Sequence, residues 1–183
     1  MKNKRVVITG GAGFIGSNLA HEIAANNTVI IVDDLSTGRI ENVTDLIDKE
    51  NVTLIKGSIL DRRLLEGSLG GTDYVFHLAA IPSVPRSIED PLSTNEANIT
   101  GTLNVLIAAR NNRVKKVVFA SSSSVYGDTL TLPKTEGMPP DSQSPYALTK
   151  LVGEYYCHIF HKVYGLPTIC LRYFNVYGPR QNP

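Results

Sequence analysis

Short apolar runs of strand length alternate along the chain with longer stretches whose apolar positions recur at helical spacing. The strand candidates are "RVVIT", "TVIIV", "VTLIK", "DYVFHL", "KKVVFA" and "PTICLRY". Most are continuously apolar, as when a strand is buried on both faces of a parallel sheet. Between them the pattern predicts helices over Phe14–Ala25, roughly Glu41–Lys49, Asp61–Leu69, Ser93–Arg110 and Pro145–Tyr164. This alternation predicts an α/β, doubly wound parallel sheet with helices on both faces and right-handed crossovers. The expected strand order is 3-2-1-4-5-6, which puts ligands at the carboxyl ends of the strands.

The first strand runs straight into "TGGAGFIGSNLAHEIA", with Gly10, Gly13 and Gly16 spaced GxxGxxG. Glycines also make ordinary turns, so the motif gains its weight from context: an apolar strand before it and an amphipathic helix after it. There the backbone can approach a pyrophosphate, and the helix N-terminus offers unpaired N–H groups. Asp33 ends the second strand, close to the roughly 20-residue offset at which an acidic side chain accepts from the adenosine ribose. The alternative for Asp33 is a plain strand-end turn residue. A carboxylate there repels a 2′-phosphate, so the expected cofactor is NAD rather than NADP. Arg39, in the "STGR" loop, is expected to face solvent.

"SPYALTK" places Tyr146 and Lys150 four apart near a helix start, on one helix face. A tyrosine is a poor base near neutrality because its ordinary pKa is about 10. A neighbouring ammonium together with a positive nicotinamide favours the phenolate. Alone such a pair is more often a surface Tyr and a solvated Lys; behind a nucleotide-binding turn it becomes a candidate base and its modulator. The serine run of "ASSSSVYG" follows the fifth strand, where a cofactor's reactive end would lie. A hydroxyl there can donate to a substrate oxygen as charge develops; the competing reading is local backbone hydrogen bonding.

The remaining composition mostly excludes. The chain has 183 residues, 42% of them hydrophobic, and a formal net charge of +1. That fits one domain with a real core and offers neither a basic face for nucleic acid nor a polybasic arm for a membrane. No apolar run approaches the roughly 20 residues of a membrane helix, and the start lacks a signal-peptide core. Cys157 and Cys170 are too few for a disulfide framework or zinc site, so they are expected to be reduced packing residues in a cytoplasmic protein. His158 and His161 form at most half a metal site, and no metal is expected. His77, ending a core strand, is expected to be packed and hydrogen-bonded.

Taken together, "TGGAGFIGS", "DDLSTG", "HLAA", "NITGT", "SSSSVYG", "SPYALTK" and "RYFNVYGPRQNP" resemble the extended short-chain dehydrogenase/reductase family. Within it the chain is similar to the UDP-hexose 4-epimerases, and "IPSVPRSIEDP" resembles those acting on N-acetylhexosamines. The likeness implies an NAD-binding Rossmann domain over residues 1–183, with the family's C-terminal substrate domain absent from this chain. It implies Tyr146 as base, Lys150 as its modulator and Ser122 as the catalytic hydroxyl. Ser83, Ser122, Ser124, Tyr146 and Asn175 are implied substrate contacts. The implied cofactor contacts are Gly10, Gly13, Phe14, Ile15, Gly16, Asp33, Asp34, Ser36, Thr37 and Gly38, then Ser58, Ile59, Ala79, Ala80, Asn98, Tyr146, Lys150 and Tyr173. In "KGSIL", Ser58 stands where the family carries an Asp that accepts from the adenine amine, a weaker acceptor.

The implied activity is C4 epimerisation of a UDP-hexose through a 4-keto intermediate, by a homodimer packed through the helices from Ser93 and Pro145. Related dehydratases need an Asp-Glu pair where this chain has Ser123 and Ser124, and decarboxylases a Glu at Ser124. UDP-glucuronate 4-epimerases remain an alternative, as does a truncated NAD-binding domain without turnover.

Overall fold

The structure, a computed structural model, describes residues 1–181. Six parallel strands form one sheet: β1 (Arg5–Thr9), β2 (Thr28–Asp33), β3 (Val52–Lys56), β4 (Tyr74–His77), β5 (Lys116–Ser122) and β6 (Thr168–Tyr173). Their order is β3-β2-β1-β4-β5-β6, as expected, so the chain reverses its winding between β1 and β4. Successive strand residues point to opposite faces. Val7, Ile30, Val32 and Val117 therefore enter one core while Val6, Ile8, Val29 and Ile31 enter the other. Burial on both faces is why these strands are continuously apolar rather than alternating.

The helices cover both faces. α1 (Phe14–Ala24) and α2 (Thr44–Ile47) sit over the core of Val6 and Ile8, to which Ala20, Ile23 and Leu46 contribute. On the other face α3 (Arg62–Ser68), α6 (Gly101–Asn111) and α7 (Pro145–Tyr164) bury Leu65, Leu106 and Phe160 against Phe119. Between β4 and α6 lie two short helices, α4 (Val84–Glu89) and α5 (Pro91–Asn95). Ser144 caps α7 by accepting from the Ala147 N–H at 3.1 Å, Pro145 occupies the first turn, and left-handed Gly165 ends the helix.

Three helix expectations change. The stretch from Glu41 to Lys49 forms only a 3-10 turn at Ile40–Asn42 and the single turn of α2. The helix expected at Ser93 begins at Pro91, where Asp90 caps it through the Ser93 N–H, and is interrupted by a π-helical turn at Glu96–Thr100 before α6. α4 was not anticipated; Ser83 starts it as N-cap, with a proline in its first turn. The serine run is not a loop. Ser121 and Ser122 finish β5, and Ser123 and Ser124 open a 3-10 turn ending at Tyr126. Among the described residues no helix is long and apolar enough to cross a membrane, and no group of side chains has metal-site composition.

Candidate active site

A cleft of about 1130 Å³ opens at the carboxyl ends of the strands, over the β1/β4 switch point. Its middle is the turn between β1 and α1. Gly10 is left-handed, φ 72°, and a Cβ there would sit 2.6 Å from the Ala79 nitrogen, so β4 can pass close by. Gly16 packs on the Gly10 carbonyl for the same reason. Gly13, at the N-cap of α1, brings no side-chain cap. The first N–H groups of the helix are thus free to meet an anion together with the positive end of its dipole. Gly10, Gly13, Phe14, Ile15 and Gly16 all line this part.

At one end lies Asp33, buried, with Oδ2 accepting from the Ala12 N–H and Oδ1 from the Leu35 N–H, each at 2.9 Å. Burial raises its pKa, and those two N–H groups pull it back. Each carboxylate oxygen keeps a lone pair for a ligand hydroxyl, so Asp33 is both turn residue and cleft residue. Asp34, Ser36, Thr37, Ser58 and Ile59 line the same end. The Ser58 hydroxyl oxygen accepts from the Leu60 N–H at 3.3 Å. Arg39 is exposed, as expected, and also borders the cleft. Gly38 does not line it; a Cβ there would come within 2.9 Å of Asp33 Oδ1, so this glycine makes room for the carboxylate.

At the other end Ala79, Ala80, Ser122, Ser124, Tyr146, Lys150, Tyr173 and Asn175 come together. Tyr146 stands in the first turn of α7, its N–H donating to Ser87 Oγ at 3.1 Å. Ser124 Oγ donates to Ser122 Oγ at 2.8 Å. Burial pushes the Tyr146 phenol above its ordinary pKa, and the nearby Ser122 hydroxyl pulls it down. Lys150 is buried, with Nζ donating to the Ala120 carbonyl at 2.9 Å and lying 5.9 Å from the Tyr146 ring centroid. Burial pushes its pKa down to about 8. Deprotonating Tyr146 therefore needs more positive charge than Lys150 alone provides.

Two implied contacts stand away from the cleft. The Ser83 hydroxyl is used as the α4 cap, accepting from the Arg86 N–H at 3.2 Å. Asn98, buried in the π turn, accepts from the Ile81 N–H at 2.8 Å and donates to Thr149 Oγ1 at 3.1 Å, so it holds a neighbour of Ala80 rather than facing the opening. Sequence reasoning missed Arg86, Lys134, Phe174, Val176, Arg180 and Gln181, which also line the cleft. All but Lys134 belong to "IPSVPRSIEDP" or "RYFNVYGPRQNP"; Lys134 carried no such signal.

Two networks, one buried and one half-buried, support this end from below. His77 Nδ1 accepts from Thr9 Oγ1 at 2.7 Å and Nε2 donates to Thr102 Oγ1 at 2.9 Å. Thr102 passes its own proton to the Asn98 carbonyl at 2.6 Å, which fixes a neutral ring. Burial, then Lys150, pushes the His77 pKa down to about 3. Glu154, one turn after Lys150, binds Arg172 through two oxygens at 2.9 and 2.8 Å and accepts from Ser121 Oγ at 2.5 Å. The Arg172 guanidinium lies 4.6 Å from the Tyr126 ring centroid. Cys157 and Cys170, distant in sequence, are neighbours; Cys170 and burial push the Cys157 thiol up.

A parallel sheet, an uncapped glycine-rich helix start and a cleft over the winding reversal define a dinucleotide-binding type of scaffold, with Ser122, Tyr146 and Lys150 gathered at one end. The chain belongs to the NAD dependent epimerase/dehydratase family, whose profile matches residues 6–183. It is 41% identical over 183 residues to a UDP-glucose 4-epimerase of Mycolicibacterium smegmatis, covering 98% of this chain and 58% of that protein. A UDP-N-acetylglucosamine 4-epimerase from Methanobrevibacter ruminantium M1, solved with UDP-N-acetylmuramic acid, superposes with a TM-score of 0.96 at 48% identity, over 100% of this chain and 58% of that one. The UDP-glucose 4-epimerase of Brucella ovis, solved with NAD, has a TM-score of 0.87 and 35% identity, over 94% of this chain and 52% of that one. The chain thus spans little more than half the length of these relatives.

Proposed function

We propose that this chain is the cofactor-binding part of an NAD-dependent UDP-hexose 4-epimerase, acting on UDP-glucose/galactose or the N-acetylated pair. The observation that carries the reading is the gathering of Ser122, Tyr146 and buried Lys150 at one end of a cleft whose middle is an uncapped helix N-terminus. The donor set fits NAD: open N–H groups suit the pyrophosphate, and Asp33 suits the adenosine ribose. Bound there, NAD would supply the hydride acceptor and donor for the sugar C4.

The protein's own part is proton movement and alignment. Tyr146 Oη takes the C4 hydroxyl proton and gives it back. Ser122, polarised by Ser124, donates to the oxygen on which negative charge develops. Lys150 keeps positive charge beneath Tyr146 and faces the nicotinamide ribose. Asn175 would border the sugar and Tyr173 the nicotinamide. Arg86 and Lys134 at this end favour a second reading in which the hexose carries a carboxylate, as in UDP-glucuronate.

Exposed Ile88 and Leu92, with Leu148, Tyr155 and Ile159 along α7, support a homodimer through these helices. Two unbridged cysteines fit the cytoplasm. The test has two stages. Denaturing the purified chain should release NAD or NADH, identified by chromatography and mass, and the protein in its longer form should interconvert C4 epimers. A chain that neither carries nor binds NAD would end the proposal.

A further inference from the structure

The segment after β6 does not leave the molecule. From Phe174 to Gln181 it returns along the cleft to α1, the helix whose first turn faces the proposed pyrophosphate site. Phe174, at its start, stacks on Tyr126 with ring centroids 6.2 Å apart. Farther along, a Cβ on Gly178 would lie 3.6 Å from the Phe14 ring. One side chain secures the far end. Asn18 Nδ2 donates to the Pro179 carbonyl at 2.9 Å, and Asn18 Oδ1 accepts from Arg180 Nη1 at 2.7 Å. The same Nδ2 also donates to the Phe14 carbonyl at 2.8 Å, so the asparagine is fixed to its own helix.

Three features make this a fastening. The segment is exposed along its length, so little apolar burial holds it down. Arg180 has φ 68°, a left-handed backbone that a side-chain-bearing residue adopts only when other contacts hold it. The bonds join residues 161 and 162 positions apart, and one of those residues, Arg180, lines the cleft. A dinucleotide lying between the glycine-rich turn and Asn175, Val176 and Arg180 would be enclosed on that side while the bonds persist.

We propose that Asn18 and Arg180 form a latch that holds the Phe174–Gln181 segment over the middle of the cleft, at the proposed pyrophosphate site, and sets how fast the dinucleotide leaves. The inference rests on the NAD reading above. Neither residue takes part in chemistry; both act by positioning the segment.

The test is the release rate of NADH from the chain, followed by fluorescence after mixing with excess NAD, for the wild type, Asn18→Ala, Arg180→Ala and the double variant. Losing one or two hydrogen bonds of this kind should speed release roughly 5–30-fold, with association nearly unchanged. The double variant should be no faster than the faster single, because both substitutions open one fastening. Arg180→Ala leaves α1 intact, so the test survives if Asn18→Ala disturbs that helix. Release unchanged in both single variants would overturn the latch. So would additive effects in the double variant, which would make Arg180 an independent charge on the phosphates. If the wild type bound no NADH or NAD, the cofactor reading itself would fall; binding with unaltered release would remove the latch alone.

Discussion

Acid should destabilise this chain through His77. In the unfolded chain the imidazole titrates near its ordinary value of 6.5, whereas in the fold it is pushed down to about 3. Well above pH 6.5 both states hold a neutral ring, and the stability associated with that ring is fully present. As pH falls below 6.5 the unfolded state takes up a proton first, and stability is lost progressively down to about pH 3. At about pH 5, about 1.5 pH units below the unfolded value, the loss is about 2 kcal/mol, a large share of the 5–15 kcal/mol typical of a domain. Lys150 adds no slope in this range, because below its value of about 8 it is protonated in both states. Asp33, raised by burial, works in the opposite sense, gaining stability as pH falls. The assay is urea unfolding at about pH 7.5 and about pH 5 for wild type and His77→Gln, which keeps a donor and an acceptor but cannot titrate. The wild type should lose about 2 kcal/mol more than the variant over this interval. Equal losses would refute the reasoning.

Further outcomes follow from the site. Tyr146→Phe should lower the epimerisation rate of the longer protein by at least about 10²-fold while leaving its NAD content intact, read by turnover and by released nucleotide. NAD binding should weaken as pH rises through about 8, where Lys150 loses its proton, and Lys150→Met should bind weakly without that inflection, measured by calorimetry. Gly16→Ala drives a Cβ into the Gly10 carbonyl, so melting temperature and NAD binding should fall together. Glu154→Gln leaves the Arg172 charge without its carboxylate and should cost about 2–4 kcal/mol in chemical denaturation.

The strands and their order were legible because burial on both faces writes an unbroken apolar run, and each predicted strand lies within a residue or so of its place. The helix expected at Glu41–Lys49 shrank because Val43 and Leu46 suffice to bury that stretch with one turn. The start of the next one was misplaced because Asp90 and Pro91 make the cap, two residues before Ser93. The glycines, Asp33, Ser122, Tyr146 and Lys150 converge on one cleft because their motifs encode local geometry at strand ends. Gly38, Ser83 and Asn98 were legible as motif members only. Spacing cannot tell a side chain that meets a ligand from one that shapes the backbone that does. Arg39, Arg86, Lys134 and Arg180 were obscure for a related reason: a cation in a loop acquires its neighbours only through tertiary placement.

The central position of β1 has a bearing on synthesis. β1, which emerges before the other strands of this sheet, is flanked by β2 on one side and by β4, which begins only at Tyr74, on the other. Until then one edge of a very apolar strand lacks its permanent neighbour, and the cleft floor at Gly10 has no Ala79 to rest against. Pairings between such distant parts of a chain form slowly and leave strand edges open to association in the meantime. The nascent chain should be most vulnerable to aggregation between the emergence of β1 and that of β4. A nucleotide able to bind only after β6 has emerged could do nothing to protect it during that interval.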